Sequence, residues 1–383
     1  MHCKKLLGFL LAVIPVFLVS VSAAAIGSKD LAAASAVLMD YTTGEILFEK
    51  NGLERRAPAS TTKIMTAIVA LERGTLKQRI TASTKVAQTE GSSIWLKAGE
   101  THTLEEMLYG VLLNSGNDAS LAVAENLAGS ERKFAGWMTE KAHELGAKDT
   151  NFENSNGLPG ANHYTTARDL ALITRYAMHN PTFAEIVKTK TKTISWPGHN
   201  YDRQLINHNK LLWRYSLADG VKTGYTQEAG KCLVSSATKN GHRLIVVVLN
   251  SGQMYEDSEK LFNYGFDNYQ LLTVVPSKTR LAELKVVDGI SPEVPVVPNR
   301  SVTLVLPRQE ADQVSLNLAL PPVINAPVER MQQVGELEVK VGDKLVKTVP
   351  LVTAKTVPRE GLWQRFINWV KGLLSYSDQG TPR

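Results

Sequence analysis

Cysteine is nearly absent from this chain of 383 residues, which holds only Cys3 and Cys232. Cys3 lies in an apolar N-terminal segment, so one thiol is left for the folded body. A single thiol closes no internal disulfide, and the fold must rest on its core. The "GKCLVSSA" context reads Cys232 as a packed strand residue and not as a nucleophile, because no histidine neighbours it in sequence. The eight histidines show no H-x-x-x-H or similar ligand spacing, so the sequence calls for no metal and no cofactor. Basic runs are also missing. Lys and Arg exceed Asp and Glu by only 43 to 37, which speaks against nucleic acid and suits a mild attraction to anionic membrane or wall polymer. The one long apolar run is Leu6 to Val21. It follows Lys4 and Lys5 and precedes Ser22-Ala23-Ala24-Ala25, which reads as an export signal over residues 1–25 with an uncleaved anchor as the alternative.

What remains divides into two textures. From Ala34 to Lys50, two strands flank a Thr-Thr-Gly turn. Helical patterns follow at Ser60 to Arg73, at "TLEEMLYGVLLN" with Thr103 and Glu106 as a capping box, and at Asn117 to Leu127, Glu131 to Leu145 and Thr166 to Ala177. Strand character returns in "KTKTISW", "DGVKTG", "KCLVSSAT" and "HRLIVVVLN", and "YEDSEKLFNYGFDNY" closes the region as a helix. Strands first and last with helices between imply an α/β domain whose antiparallel sheet is covered by helices, over residues 26–272. After Leu272, short alternating strands cut by Pro and Gly imply a small all-β domain, a sandwich, over 273–357.

The last segment, 358–376, contains "GLWQRFINWVKGLL". At about 100° per residue its apolar side chains, Trp363, Phe366 and Trp369 among them, fall within an arc of roughly 160°. It is too short to span a bilayer. It reads as an amphipathic helix lying on a membrane surface, with docking on the protein body as the alternative.

Three short stretches carry chemistry. In "APASTTKIMTA", Ser60 and Lys63 stand one helical turn apart, so the lysine projects beside the serine. A serine needs a base within hydrogen-bond reach, and a lysine serves only when neutral, which burial and neighbouring cations favour. Taken alone the spacing is common by chance. "LLNSGNDAS" then sets Ser115, Gly116 and Asn117 at a break between helices. "ADGVKTGYT" sets Lys222, Thr223 and Gly224 on a strand, with Gly224 leaving room for a substrate backbone.

S-x-x-K, S-[DG]-N and K-T-G in this order resemble the signature of penicillin-binding proteins and serine β-lactamases. Ser60 and Ser115 are 55 residues apart, and Lys222 follows 107 residues later. With Gly in the middle element and two further segments behind the peptidase region, the chain resembles the low-molecular-mass D-alanyl-D-alanine carboxypeptidases over nearly its whole length.

The resemblance implies that Ser60 attacks the carbonyl between two D-alanines of a peptidoglycan stem peptide, Lys63 takes its proton, and Ser115 shuttles protons with Lys63 and Lys222. It implies an oxyanion site at the backbone N–H groups of Ser60 and Tyr225, a grip on the substrate amide by Asn117, and a grip on the terminal carboxylate by Thr223 and Lys222. β-Lactam antibiotics would be covalent inhibitors, and the site would lie at the outer face of the cytoplasmic membrane. Many relatives carry His after K-T-G where this chain has Tyr225. "NSNGLPGANHYTTARDLA" resembles a family segment that shapes one wall of the cleft. A class A β-lactamase would need Glu in an E-x-x-L-N context, and none lies between Asn117 and Lys222. An endopeptidase or transpeptidase acting on cross-linked wall, or a penicillin-sensing module, is the alternative function.

Overall fold

The structure is a computed structural model and describes residues 26–361. The expected export signal, 1–25, and all of the expected terminal helix, 358–376, beyond residue 361 lie outside the described residues. Strands β1 (Ser35–Asp40) and β2 (Ile46–Lys50) form the expected hairpin. Helices α1 (Lys63–Arg73), α2 (Leu104–Leu112), α3 (Asn117–Ala128), α4 (Glu131–Glu144), α5 (Ala167–Ala177) and α6 (Pro181–Lys188) follow. Strands β3 (Ala218–Thr226), β4 (Gly230–Lys239) and β5 (His242–Leu249) then complete an antiparallel sheet of order β2-β1-β5-β4-β3, and α7 (Met254–Asn268) packs behind it.

The sheet is covered on both faces, which explains the unbroken apolar run of β5. Ile245, Val247 and Leu249 join the core shared with α1 to α6. Leu244, Val246 and Val248 face the other way, onto Leu261, Phe262 and Phe266 of α7. A central strand buried on both faces has no polar side to alternate with. Each such side chain contributes about 1.5–3 kcal/mol by leaving water.

The capping box forms as read: Thr103 Oγ1 accepts the Glu106 N–H and the Glu106 carboxylate accepts the Thr103 N–H. Helix α6 escaped the sequence reading, although Asn180 caps it and Pro181 occupies its first turn. One boundary also differs. The helix expected from Ser60 begins as a 3-10 turn over Ala59–Thr62, and the α-helix starts at Lys63. Ala59 takes a positive φ of 49°, so the chain enters this turn sharply.

Behind α7 the chain enters strand Tyr269–Val275, which runs across position 272 and pairs with Val302–Pro307. A six-stranded sheet faces this pair. Its members are antiparallel except where Val323–Asn325 runs parallel to Ala282–Val287. Val302, Leu304 and Leu306 from the pair and Val294, Leu337, Val339 and Leu351 from the larger sheet share one core, the two-layer arrangement expected of a sandwich. The hairpin of Gln333–Val341 and Lys344–Thr353 turns at Gly342, whose φ of 56° suits glycine.

Candidate active site

Helix α1 is buried on every side from Lys63 to Ala70, and this decides the state of its first residue. The Lys63 amine has three neighbours within hydrogen-bond distance. They are Ser60 Oγ at 2.9 Å, Asn117 Oδ1 at 2.7 Å and the Asn156 carbonyl at 2.6 Å. Burial lowers its pKa well below the ordinary lysine value. The charge of Lys222 lowers it further, and Asp118 opposes this.

A neutral amine has two N–H bonds and one lone pair. Two of its neighbours are amide oxygens, which can only accept. The Ser60 hydroxyl is the one partner able to donate. In the neutral form both N–H bonds go to Asn117 and Asn156, which leaves the lone pair to the serine proton. Ser60 does not cap the helix. Its hydroxyl lies against Lys63 and, at 3.4 Å, the Asn156 carbonyl.

Asn156 was read only as part of a wall. The local sequence explains its placement. Asn154 Oδ1 accepts the N–H groups of Asn156 and Gly157, and the Asn156 side chain accepts the Leu158 N–H, which closes a tight turn. Gly157 stands at φ 87°, and a Cβ there would lie 1.9 Å from the Ala59 carbonyl oxygen. The segment thus packs directly against the turn that carries Ser60. Behind it, His163 Nδ1 accepts the Glu153 N–H, so Nε2 holds the proton and donates to Thr62 Oγ1 at 2.9 Å. Burial lowers the His163 pKa to about 4, which keeps the ring neutral. No motif spacing marked a main-chain carbonyl as a site group; the Asn-Ser-Asn-Gly turn was the only available sign.

The middle motif sits between α2 and α3. Ser115 has a φ of 61° and is almost wholly buried. A Cβ on Gly116 would lie 2.9 Å from Asp118 Oδ1, so the tight break needs glycine. Among the described residues the Ser115 hydroxyl makes no hydrogen bond, so the expected relay to Lys63 and Lys222 is not joined in the resting site. Asn117 is engaged at both ends of its amide. Its oxygen holds Lys63 and its Nδ2 donates to the Glu90 carbonyl at 2.7 Å.

The third motif lies on edge strand β3. Lys222 is buried, donates to the Thr223 carbonyl at 2.8 Å, and has its pKa lowered by burial to about 7. It is therefore only partly charged at neutral pH. Gly224 allows a close approach, though to the chain itself: a Cβ there would lie 3.0 Å from the Ser60 backbone nitrogen and 3.1 Å from the Ala59 Cβ. Tyr225 is exposed beside it.

A cleft of about 360 Å³ collects Ser60, Ser115, Thr223, Gly224 and Tyr225, while Lys63, Asn117 and Lys222 are buried and do not line it. It also takes in Ser92, His208, Lys231 and Tyr255, none of which sequence reasoning had singled out. A larger hollow of about 870 Å³, lined by Glu131, Asn151 and Glu153, contains none of the motif residues. Cys232 is wholly buried in β4, and burial pushes its thiol up to about 11, so it is inert as read.

A helical half, an antiparallel sheet and a serine–lysine turn against the sheet edge make this the mixed α/β fold of the serine DD-peptidases. Residues 20–253 match the family model for D-alanyl-D-alanine carboxypeptidase (peptidase S11), and residues 269–359 match the penicillin-binding protein 5 C-terminal domain. The chain is 33% identical over 350 residues to D-alanyl-D-alanine carboxypeptidase DacF of Bacillus subtilis, covering 88% of each. It is 33% identical over 363 residues to D-alanyl-D-alanine carboxypeptidase DacA of Escherichia coli K12, covering 90% of this chain and 88% of that one. The crystal structure of penicillin-binding protein 5 from Haemophilus influenzae superimposes with a TM-score of 0.76 at 27% identity, covering 88% of this chain and all of that one. The chain belongs to the D-alanyl-D-alanine carboxypeptidase family of serine peptidases, the penicillin-binding proteins that act on peptidoglycan.

Proposed function

We propose that Ser60 is the acylated nucleophile of this D-Ala-D-Ala carboxypeptidase and that neutral Lys63 is its base. The observation that carries this reading is the partner set of the Lys63 amine, which leaves its lone pair to the serine. Ser60 Oγ bonds to the carbonyl carbon of the penultimate D-alanine of a stem pentapeptide while its proton passes to Lys63. The oxyanion is held by the backbone N–H groups of Ser60 and Tyr225. The approach of Gly224 to the Ser60 nitrogen supports this pairing. The C–N bond then breaks, and terminal D-alanine leaves with a proton delivered through Ser115. Water attacks the ester, Lys63 takes its proton, and the shortened peptide departs as Ser60 is re-protonated.

Asn117 orients Lys63 and grips the substrate amide when that amide displaces the Glu90 carbonyl from its Nδ2. Thr223, with Lys222 beneath it, receives the terminal carboxylate. β-Lactams acylate the same serine. The enzyme works outside the cytoplasm, exported by residues 1–25 and held at the outer face of the membrane by the amphipathic segment 358–376, with residues 273–357 as the spacer. No helix among the described residues is long and apolar enough to cross a membrane.

The test is D-alanine release from a stem pentapeptide by wild type beside Ser60→Ala. Release by the first alone supports the reading. Penicillin labelling of Ser60→Ala would remove the serine from its role. D-alanine release by neither, with wild type still labelled, would move the function to transpeptidation or penicillin sensing. A chain ended at Glu360 is expected to leave membranes with its activity kept; if it stays bound, the anchor lies elsewhere.

A further inference from the structure

We propose that the aromatic cluster formed by Trp95, Trp196, His199 and Tyr201 is a platform for the glycan strand that carries the stem peptide. This deepens the reading above and rests on it for the identity of the substrate. The cluster joins two segments. One is the loop that follows Ser92. The other is the tip of a hairpin of strands Thr191–Ile194 and Arg203–Ile206.

Trp95 is 65% exposed and Tyr201 59% exposed. On the hairpin tip the Trp196 and His199 rings lie 4.3 Å apart between centroids, and Tyr201 stands edge-on to both, at 5.5 and 5.4 Å. Single exposed aromatics are ordinary on protein surfaces. Here three rings meet on the hairpin tip, and Trp95 stands exposed on the neighbouring loop, tied to it through its backbone.

The mounting is the second observation. The Arg203 guanidinium lies over the Trp196 ring at 4.7 Å and donates to the Trp95 carbonyl at 3.3 Å, so one side chain ties the two segments together. It is itself buried and paired with the buried Glu100 carboxylate at 2.9 Å. On the loop side, the buried Asp118 carboxylate accepts the N–H groups of Ile94 and Leu96 and the Ser93 hydroxyl. Trp95, between them, is held at φ 59° and turned outward. Bulky residues rarely adopt that conformation, and observed outliers of this kind gather at functional sites.

Two short stretches of chain connect the platform to the cleft. Ser92 lines the cleft and precedes Trp95 by three residues. The Ile206 N–H is held by Asn114, next to Ser115, and Ile206 follows Arg203 by three residues. Three residues reach at most about 10 Å, and an extended pentapeptide spans about 17 Å. A stem peptide seated with its C-terminus at Ser60 is long enough for its sugar end to reach rings at that separation, if it leaves the cleft on the Ser92 side. The apolar faces of N-acetylated hexosamines are matched by flat aromatic rings, and their hydroxyl and acetamido groups by Tyr201 and His199.

The experiment compares wild type, Trp95→Ala, Tyr201→Ala and Trp95→Phe on two substrates. One is a free stem pentapeptide, and the other is the same pentapeptide on an uncross-linked glycan strand. The ratio of kcat/KM on the glycan-borne peptide to that on the free peptide is expected to fall about tenfold in the alanine variants. Trp95→Phe is expected to restore most of it. Peptide-free glycan strands, measured by calorimetry against the whole chain, are expected to bind wild type more tightly than the alanine variants. Penicillin acylation rates check that each variant is folded. An unchanged ratio with unchanged glycan binding overturns the platform, as does an equal loss on both peptides. If wild type hydrolyses neither peptide, the enzymatic reading fails, and the calorimetry still decides the platform.

Discussion

The Lys63 amine lies closer to the Asn117 side-chain oxygen, at 2.7 Å, than to the Ser60 hydroxyl, at 2.9 Å. Asn117 and Ser60 ask opposite things of the amine. An amide oxygen takes a hydrogen; a serine about to react must give one. With the Asn156 carbonyl as the other acceptor, two oxygens hold the amine in one orientation, and burial favours its neutral form.

Asn117→Asp tests this directly. A carboxylate at 2.7 Å favours the ammonium and raises the Lys63 pKa, by about 1–3 units for such a contact. The base then becomes neutral only at higher pH. Penicillin acylation is expected to fall most at low pH, with its acidic limb displaced to higher pH by about 1–3 units. A variant slowed equally at every pH would mean that Asn117 serves substrate binding alone.

Gly157→Ala attacks the other acceptor. A Cβ at φ 87° would meet the Ala59 carbonyl at 1.9 Å, so the turn must shift away from Ser60 and carry the Asn156 carbonyl with it. The acylation rate is expected to drop at least tenfold, and thermal stability to fall by several degrees for about 1–3 kcal/mol of strain. Stopped-flow penicillin acylation and a thermal melt on the same preparation read the two effects. Wild-type values in both would show that the turn accommodates a side chain and that its fit to Ala59 is not needed.

Lys222 links pH to stability. Its pKa is about 7 in the folded protein and ordinary, near 10.5, in the unfolded chain. Between those values the unfolded chain binds more protons, so this group's contribution rises with pH by up to about 1.4 kcal/mol per unit. It is fully present above 10.5 and lost as pH falls through about 7. Lys222→Met is therefore expected to be more stable than wild type at pH 7, with the gap narrowing toward pH 9. Urea unfolding at pH 7, 8 and 9 measures this, and a constant gap would mean that Lys222 keeps an ordinary pKa.

Much of this site was legible from spacing. Ser60 and Lys63 meet because they lie one helical turn apart, and the glycines of the second and third motifs stand where side chains would collide. The capping box at Thr103, the first hairpin and the doubly buried β5 strand were legible for the same reason, since each is written in adjacent residues. What spacing could not express is who stands across from whom. Gly224 was read as room for a substrate, and it is also room for the Ser60 backbone. Asn117 was read as a substrate grip, and it also holds the lysine. Asn156 enters through a backbone carbonyl, an atom every residue has and no motif can flag.

The sequence by itself determined the order of elements, the two textures of the chain and the three motifs, because periodicity, caps and turn residues act over a few positions. Only the tertiary structure decided that α1 is buried on every side, that burial thereby lowers the Lys63 pKa, and that Glu100, Asp118 and Arg203 hold the segments that carry the aromatic rings. Desolvation and hydrogen-bond pairing depend on what packs around a group from distant parts of the chain, and folding alone brings those parts together.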